Sequence, residues 1–259
     1  MGEWYNSFFD ELYYKTYRVF EDEERNEGEA RFIVEAMQLP EGARVLDLGC
    51  GYARHAVYLA KWGYRVVCLD LSDYLLERAR ERIREFNVEG RVDVVKGDMR
   101  EVVYDSEFDG AYMFFTTFGF FDDRENSKVL SNISKSLKPG GRLLLDLWNP
   151  VRVVYSAYMH RGSRRAWYEA GDYIVLEEAR YDLYNARVNT HRIFLDKASH
   201  ARIAERYFSV RFYFYWELEE LMEKTGLAIQ RLYGSYSLEE YTPTSPRMII
   251  IAEKSPPRQ

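Results

Sequence analysis

The chain has 259 residues, 47% hydrophobic and 30% charged, with a net charge of −6. That length suits one large globular domain or a domain with an insertion, and the acidity excludes an overall basic field of the kind that gathers nucleic acid. No secretory leader is read at the N-terminus and no long charge-free apolar run occurs, so secretion and membrane spanning are not expected.

The two cysteines, Cys50 and Cys68, lack framework spacing and read as reduced and packed, which points to the cytoplasm. Aromatic residues are numerous, with 22 Tyr, 15 Phe and 5 Trp. Most are expected to be core or sheet packing, and a few to line a substrate pocket.

Residues 1–39 read as two helical pieces separated by the acidic stretch Glu21 to Glu29. Phe9, Tyr13, Tyr17 and Phe20 recur at helical spacing and form one face that needs cover. Alternation of strands and helices begins at 40. Arg44 to Leu48 is a short buried strand, Gly49-Cys50-Gly51 a tight turn, Tyr52 to Lys61 a helix and Arg65 to Leu69 a second strand ending in Asp70. Ser72 caps a helix running to about Phe86. Arg91 to Lys96 is strand three, Phe108 to Phe115 strand four, Asp122 to Leu137 a helix and Arg142 to Leu147 strand five.

From Pro150 to about Arg211 the pattern changes to three antiparallel strands, Tyr173 to Tyr181, Arg187 to Phe194 and Ile203 to Phe212. They form an insertion that can roof a pocket or offer a dimer surface. The basic run His160 to Arg165 reads as a solvated loop. Trp216 to Lys224 is a helix stopped at Gly226, and Leu227 to Leu232 and Arg247 to Ala252 are the last two strands.

Strand, glycine turn, helix, strand and acid make a βαβ unit whose cleft lies at the carboxyl ends of the strands, a nucleotide or nucleoside site. A dinucleotide fingerprint wants a third glycine at the sixth position from Gly49, where Arg54 stands. Asp47, just before the turn, is unsuited to a pyrophosphate and suits a ligand with positive charge. Asp70 can accept both ribose hydroxyls.

The run Asp47-Leu48-Gly49-Cys50-Gly51-Tyr52-Ala53 resembles motif I of the class I S-adenosylmethionine-dependent methyltransferases. CLDLS at 68–72, VKGDM at 95–99, FDGAYMFF at 108–115 and LKPGGRLLLDLWNP at 137–150 follow in the family's order. Ala53 replaces the third glycine, a change the turn absorbs provided φ there is negative. The resemblance implies a Rossmann-like α/β fold, a seven-stranded mostly parallel sheet with helices on both faces and an antiparallel β insertion after strand five. The segments are then a helical N-terminus (1–39), a cofactor-binding core (40–150), the insertion (151–211) and a C-terminal part completing the sheet (212–259).

It further implies S-adenosylmethionine as cofactor. Asp47 would lie near its ammonium, Gly49, Cys50 and Gly51 against it and Asp70 on the ribose. Asp98 would receive the adenine amino group, with Leu71 and Met99 adjoining. Phe114, Phe115, Tyr13 and Tyr17 would be near the methionine end, where Arg54 either meets the carboxylate or is a solvated surface arginine. His55 reads as a capping or packing residue.

Methyl transfer from a sulfonium needs alignment and a dry pocket more than a dedicated catalytic side chain, so no catalytic residue is named. Substrate contacts are expected from Thr117, Phe118, Trp148, Asn149, Arg211 and Arg247. Arg211, Arg247 and Arg152 can anchor an acid, while aromatic walls can hold a cationic amine. The chain lacks the Asn/Asp-Pro-Pro-Tyr motif of amino-directed nucleic-acid methylases and a cysteine placed for cytosine C5 attack.

The expected activity is methyl transfer to nitrogen, oxygen or sulfur of a small molecule, with no membrane partner and a homodimer through the insertion. A tRNA or rRNA methyltransferase, a nicotinamide-dependent oxidoreductase and a non-catalytic module on the same fold are the alternatives. No metal spacing stands out.

Overall fold

In the computed structural model, which describes residues 3–101 and 104–255, strands β1 (Arg44–Leu48), β2 (Arg65–Asp70), β3 (Val92–Lys96), β4 (Phe108–Met113) and β5 (Leu137–Trp148) are parallel neighbours. Four further strands, β6 (Ser163–Ala170), β7 (Tyr173–Asp182), β8 (Arg187–Asp196) and β9 (Arg202–Arg211), form a separate antiparallel sheet. The last two, β10 (Leu227–Tyr233) and β11 (Arg247–Lys254), rejoin the first. The main sheet has the order β10-β11-β5-β4-β1-β2-β3, with β11 antiparallel to both neighbours. Seven strands and the position of the last one match the expected class I arrangement.

Helices cover both faces because each contributes one apolar stripe. The helices α1 (Tyr5–Phe8) and α2 (Glu11–Arg18) come first, followed by α3 (Glu23–Met37), α4 (Ala56–Lys61) and α5 (Asp73–Glu85). Phe32 and Ile33 of α3, Leu59 of α4 and Leu76 of α5 share a core with Val45 and Ile249. On the opposite face α6 (Asp123–Ser136) places Leu130 and Ile133 against Leu46 and Leu145, joined by Leu218 of α8 (Tyr215–Lys224). Strand order reverses at β1, so the crevice opens where β1 and β4 end.

The insertion has four strands where three were expected, and a helix, α7 (Pro150–Met159), precedes it. The run read as a solvated loop contributes to β6, which pairs Ser163 to Ala170 along β7. Its alternation was hidden because Arg164, Arg165, Trp167 and Glu169 are exposed on this edge strand. The inner face of this sheet packs Val175 and Phe194 beside Leu12 of α2, and Val188 beside Val153 of α7.

Two local expectations are corrected. The residues after the glycine turn stay irregular, and α4 starts only at Ala56, so Arg54 and His55 precede it. Ala53 has φ +58°, not the negative value expected. An alanine there carries on the order of 1–2 kcal/mol of left-handed strain, partly offset by burying its methyl completely. The Ser72 cap forms as expected, accepting from Leu75 N at 3.2 Å, and its hydroxyl also donates to Phe9 O at 2.5 Å. Among the described residues no helix is long and apolar enough to cross a membrane.

Candidate functional site

At the end of β1 the chain must turn sharply beneath β4. Gly49 takes φ +71°, and a Cβ there would meet Thr117 Cγ2 at 2.3 Å, so only glycine fits. Gly51 takes φ +57°, and its N–H donates to Asp70 Oδ2 at 2.9 Å. Asp70 Oδ1 accepts from Ser72 N at 2.9 Å, so the acid that ends β2 also ties down the turn. Burial raises its carboxyl above the ordinary value, against the opposing backbone N–H groups of Ser72, Gly51 and Leu71.

Asp47 is 3% exposed, and among the described residues its only hydrogen bond comes from the Tyr112 hydroxyl, which donates to Oδ2 at 2.7 Å. Burial pushes its carboxyl up to about 7 despite that bond, with the charge of Asp70 adding to the rise. Such a carboxyl facing a cleft is stabilised by an arriving cation. Tyr52, on the same wall, has a buried hydroxyl with no well-formed hydrogen bond among the described residues and lies in the field of Glu21.

The cleft brings together Asp47, Gly49, Cys50, Gly51, Arg54, Asp70, Leu71, Asp98, Met99, Phe114, Phe115 and Thr117, closed by Tyr13 and Tyr17 of α2. Asp98 lies here with both oxygens engaged by Arg100, Nε to Oδ1 at 3.0 Å and Nη2 to Oδ2 at 2.5 Å. Burial alone would raise its carboxyl, yet the Arg100 hydrogen bonds hold it below the ordinary value. Arg54 is not a surface residue. It is ion-paired with Glu29, bonds Asn26 Oδ1 at 2.9 Å and lies over the rings of Phe114 and Phe115.

Glu29, 2% exposed, also accepts from His55 Nε2 at 2.9 Å and Arg25 Nε at 2.9 Å. Burial and then the charge of Arg54 lower His55 to about 4, so its imidazole is neutral at pH 7 and carries its proton on Nε2. Glu29 falls to about 2: burial opposes this, but His55, Arg54 and Arg25 outweigh it. Nothing local in the sequence marked Glu29, which lies 25 residues before Arg54.

Beyond Phe115 a second cavity of about 820 Å³ lies between α1, α2, α7 and the inner face of the antiparallel sheet. Phe9, Tyr13, Tyr17, Phe115 and Phe120 line both spaces. Phe115 and Thr116 each have φ +61°, a strained conformation. Asp146, fully buried on β5, holds it: Oδ2 accepts from Phe115 N at 2.8 Å and the main-chain O from Thr116 N at 2.9 Å. Asp146 Oδ1 accepts from Arg247 Nε at 2.6 Å, and Arg247 Nη2 donates to Thr116 Oγ1 at 2.8 Å. Asp146 escaped the sequence reading, although an acid inside LLLDLW was its signal.

Trp148, Asn149 and Arg247 line the second cavity. The polar atoms of Asn149 are spent, its amide donating to Ser245 O at 2.8 Å and its oxygen capping α7 through Val151 N at 3.0 Å. Two expectations fail. Phe118 is 1% exposed in the core against Tyr213, because its side chain points away from the cleft. Arg211 lines neither space, since Glu217 and Asp123 hold its guanidinium over the Tyr213 ring.

A glycine-turned strand end and an acid one strand over make a crevice of the kind that takes a nucleoside, with a roofed cavity beyond it. A methyltransferase domain family matches residues 45–141. The chain is 29% identical over 227 residues to a cypemycin N-terminal methyltransferase from a Streptomyces species, covering 83% of this chain and 84% of that one. Several further relatives match over less than two thirds of their own length.

Among solved structures, the CcbJ methyltransferase from Streptomyces caelestis superposes with a TM-score of 0.83 at 18% identity, covering 97% of this chain and 99% of that one. S-adenosylmethionine-bound CalS10, an amino pentose methyltransferase from Micromonospora echinaspora, superposes with a TM-score of 0.66 at 20% identity, covering 95% and 97%. Both share the fold. The matched domain, the Streptomyces relative and the two structures are all methyltransferases, and one of the structures holds S-adenosylmethionine.

Proposed function

We propose that the protein methylates a small molecule, at nitrogen in preference to oxygen or sulfur, with the acceptor in the second cavity. The observation that carries this is Asp47, a buried carboxyl short of positive charge, in a cleft that meets a roofed cavity across a purely aromatic junction. Relatives described as acting on an N-terminus or an amino pentose favour nitrogen.

When bound, S-adenosylmethionine supplies a methyl group activated on a sulfonium. Asp47 would face its ammonium, Asp70 its ribose hydroxyls and the Gly49 to Gly51 backbone its amino-acid portion. Leu71 and Met99 would flank the base beside Asp98. Arg54 retains Nη2, free of the bonds to Glu29 and Asn26, for the carboxylate. Tyr13, Tyr17, Phe114 and Phe115 would enclose the reacting end and exclude water.

Among the described residues no carboxylate or imidazole is shared by both spaces, which favours alignment and desolvation over a general base at the junction as the chain's contribution. The two buried free cysteines favour a reducing, cytoplasmic setting.

Calorimetric titration with the cofactor, comparing the native chain with Asp70→Asn, tests the cleft. Loss of a charged hydrogen-bond partner should weaken binding about tenfold or more, and equal affinities would refute the ribose contact. Incubation with a metabolite extract, read by mass for a gain of one methyl group, tests the activity. No methylated product in any small-molecule fraction would overturn the proposal.

A further inference from the structure

We infer that the acceptor carries an anionic group of carboxylate or phosphate type, held at the mouth of the second cavity by Arg152 and Arg164, remote from its methyl-accepting atom. This rests on the reading of that cavity as the acceptor site. Four arginines, Arg152, Arg164, Arg192 and Arg247, line the wall, where Glu177 is the one carboxylate among the described residues. The charge of Arg247 is answered from behind the wall by Asp146 at 2.6 Å.

Arg192 is buried, meets Glu177 at 2.7 Å and donates to the Tyr17 hydroxyl at 2.6 Å. Arg164 leans on the other oxygen of the same Glu177 at 2.9 Å, so one carboxylate serves two guanidinium groups. Arg152 is exposed and has no ion pair among the described residues. Two positive charges are therefore left over, on a chain whose net charge is −6. A general basic field does not account for such a local excess.

Where the cavity meets the cofactor cleft its wall is aromatic, with Phe9, Tyr13, Phe115 and Phe120, whereas Arg152 and Arg164, the two guanidinium groups short of a full counter-charge, are exposed to solvent beside Tyr155 and Met159. An apolar body with an anion at one end matches both halves, because the planar guanidinium fork pairs with carboxylate and phosphate. A ligand positive at both ends would be repelled at the mouth.

The probes are 1-naphthoate, 1-naphthyl phosphate, 1-naphthamide and 1-naphthylmethylamine. Each is titrated by ligand-observed NMR against the full chain, Arg152→Ala, Arg164→Ala and the double variant. Circular dichroism checks that these exposed substitutions leave the fold intact. The anions should bind about tenfold tighter than the amide, with the preference falling in high salt and disappearing in the double variant. The carboxylate and phosphate arms separate an acid from a phosphoester.

Amide or amine binding as tight as the anions, or a preference that survives in the double variant, overturns the inference. Cofactor affinity is measured separately by calorimetry. Cofactor binding without anion preference defeats this inference alone, and arginine-dependent anion binding without cofactor binding defeats the methyl-transfer reading alone.

Discussion

Replacing Asp47 by Asn keeps the shape and an acceptor for the Tyr112 hydroxyl but removes a charge that burial disfavours. The native carboxyl is raised from 3.8 to about 7. Raising the carboxyl that far corresponds to a penalty of about 4 kcal/mol on its ionised form. Because the folded value lies above the unfolded one, the stability tied to the protonated form is fully present only below the unfolded value of 3.8. It is lost as pH rises through about 7.

Asp47→Asn has no such loss, so its melting temperature should gain on the native chain by about ten degrees between pH 4 and pH 8. The proposed cofactor ammonium reverses the penalty by favouring the ionised form. Near pH 6.5 Asp47 is in good part protonated before binding, so cofactor uptake should release a fraction of a proton that Asp47→Asn does not release. Calorimetry in two buffers of different ionisation enthalpy reads the proton count directly. A variant that releases as many protons as the native chain would show that Asp47 is not the group facing the ammonium.

Three further outcomes are expected. Glu29→Ala removes the shared partner of Arg25, Arg54 and His55, and should cost about 3–5 kcal/mol in urea unfolding by leaving a buried guanidinium underpaired; a loss below 1 kcal/mol would mean that the cluster is not holding the cleft wall. Ala53→Gly relieves left-handed strain of about 1 kcal/mol and gives up a similar amount of methyl burial, so it should be near neutral. Ala53→Val should lose about 2 kcal/mol or more, and an unchanged urea midpoint for valine would contradict the positive φ. The outer face of the antiparallel sheet exposes Trp167, Leu176 and Ile203, and we propose it as a homodimer surface. Sedimentation should show a dimer that Trp167→Glu dissociates, and a native chain that is monomeric at tens of micromolar would rule it out.

Local chemistry along the chain was enough for the parallel core and the cleft floor. Apolar runs of strand length, glycines where φ must be positive and acids at the ends of strands are short-range features, so Asp47, Gly49, Gly51 and Asp70 could be placed together beforehand. The first strand of the antiparallel sheet was hidden because an edge strand may point charged side chains at water and blur its alternation. Neither the fate of Arg54, caught by Glu29, nor that of Arg247, caught by Asp146 across 101 positions, was readable, because each depends on a partner brought near only by folding. The same holds for the second cavity, whose walls come from α1, α2, α7 and a sheet that packs on them. Backbone periodicity is written residue by residue, whereas the pairing of long charged side chains and the space left between layers exist only once the layers have met.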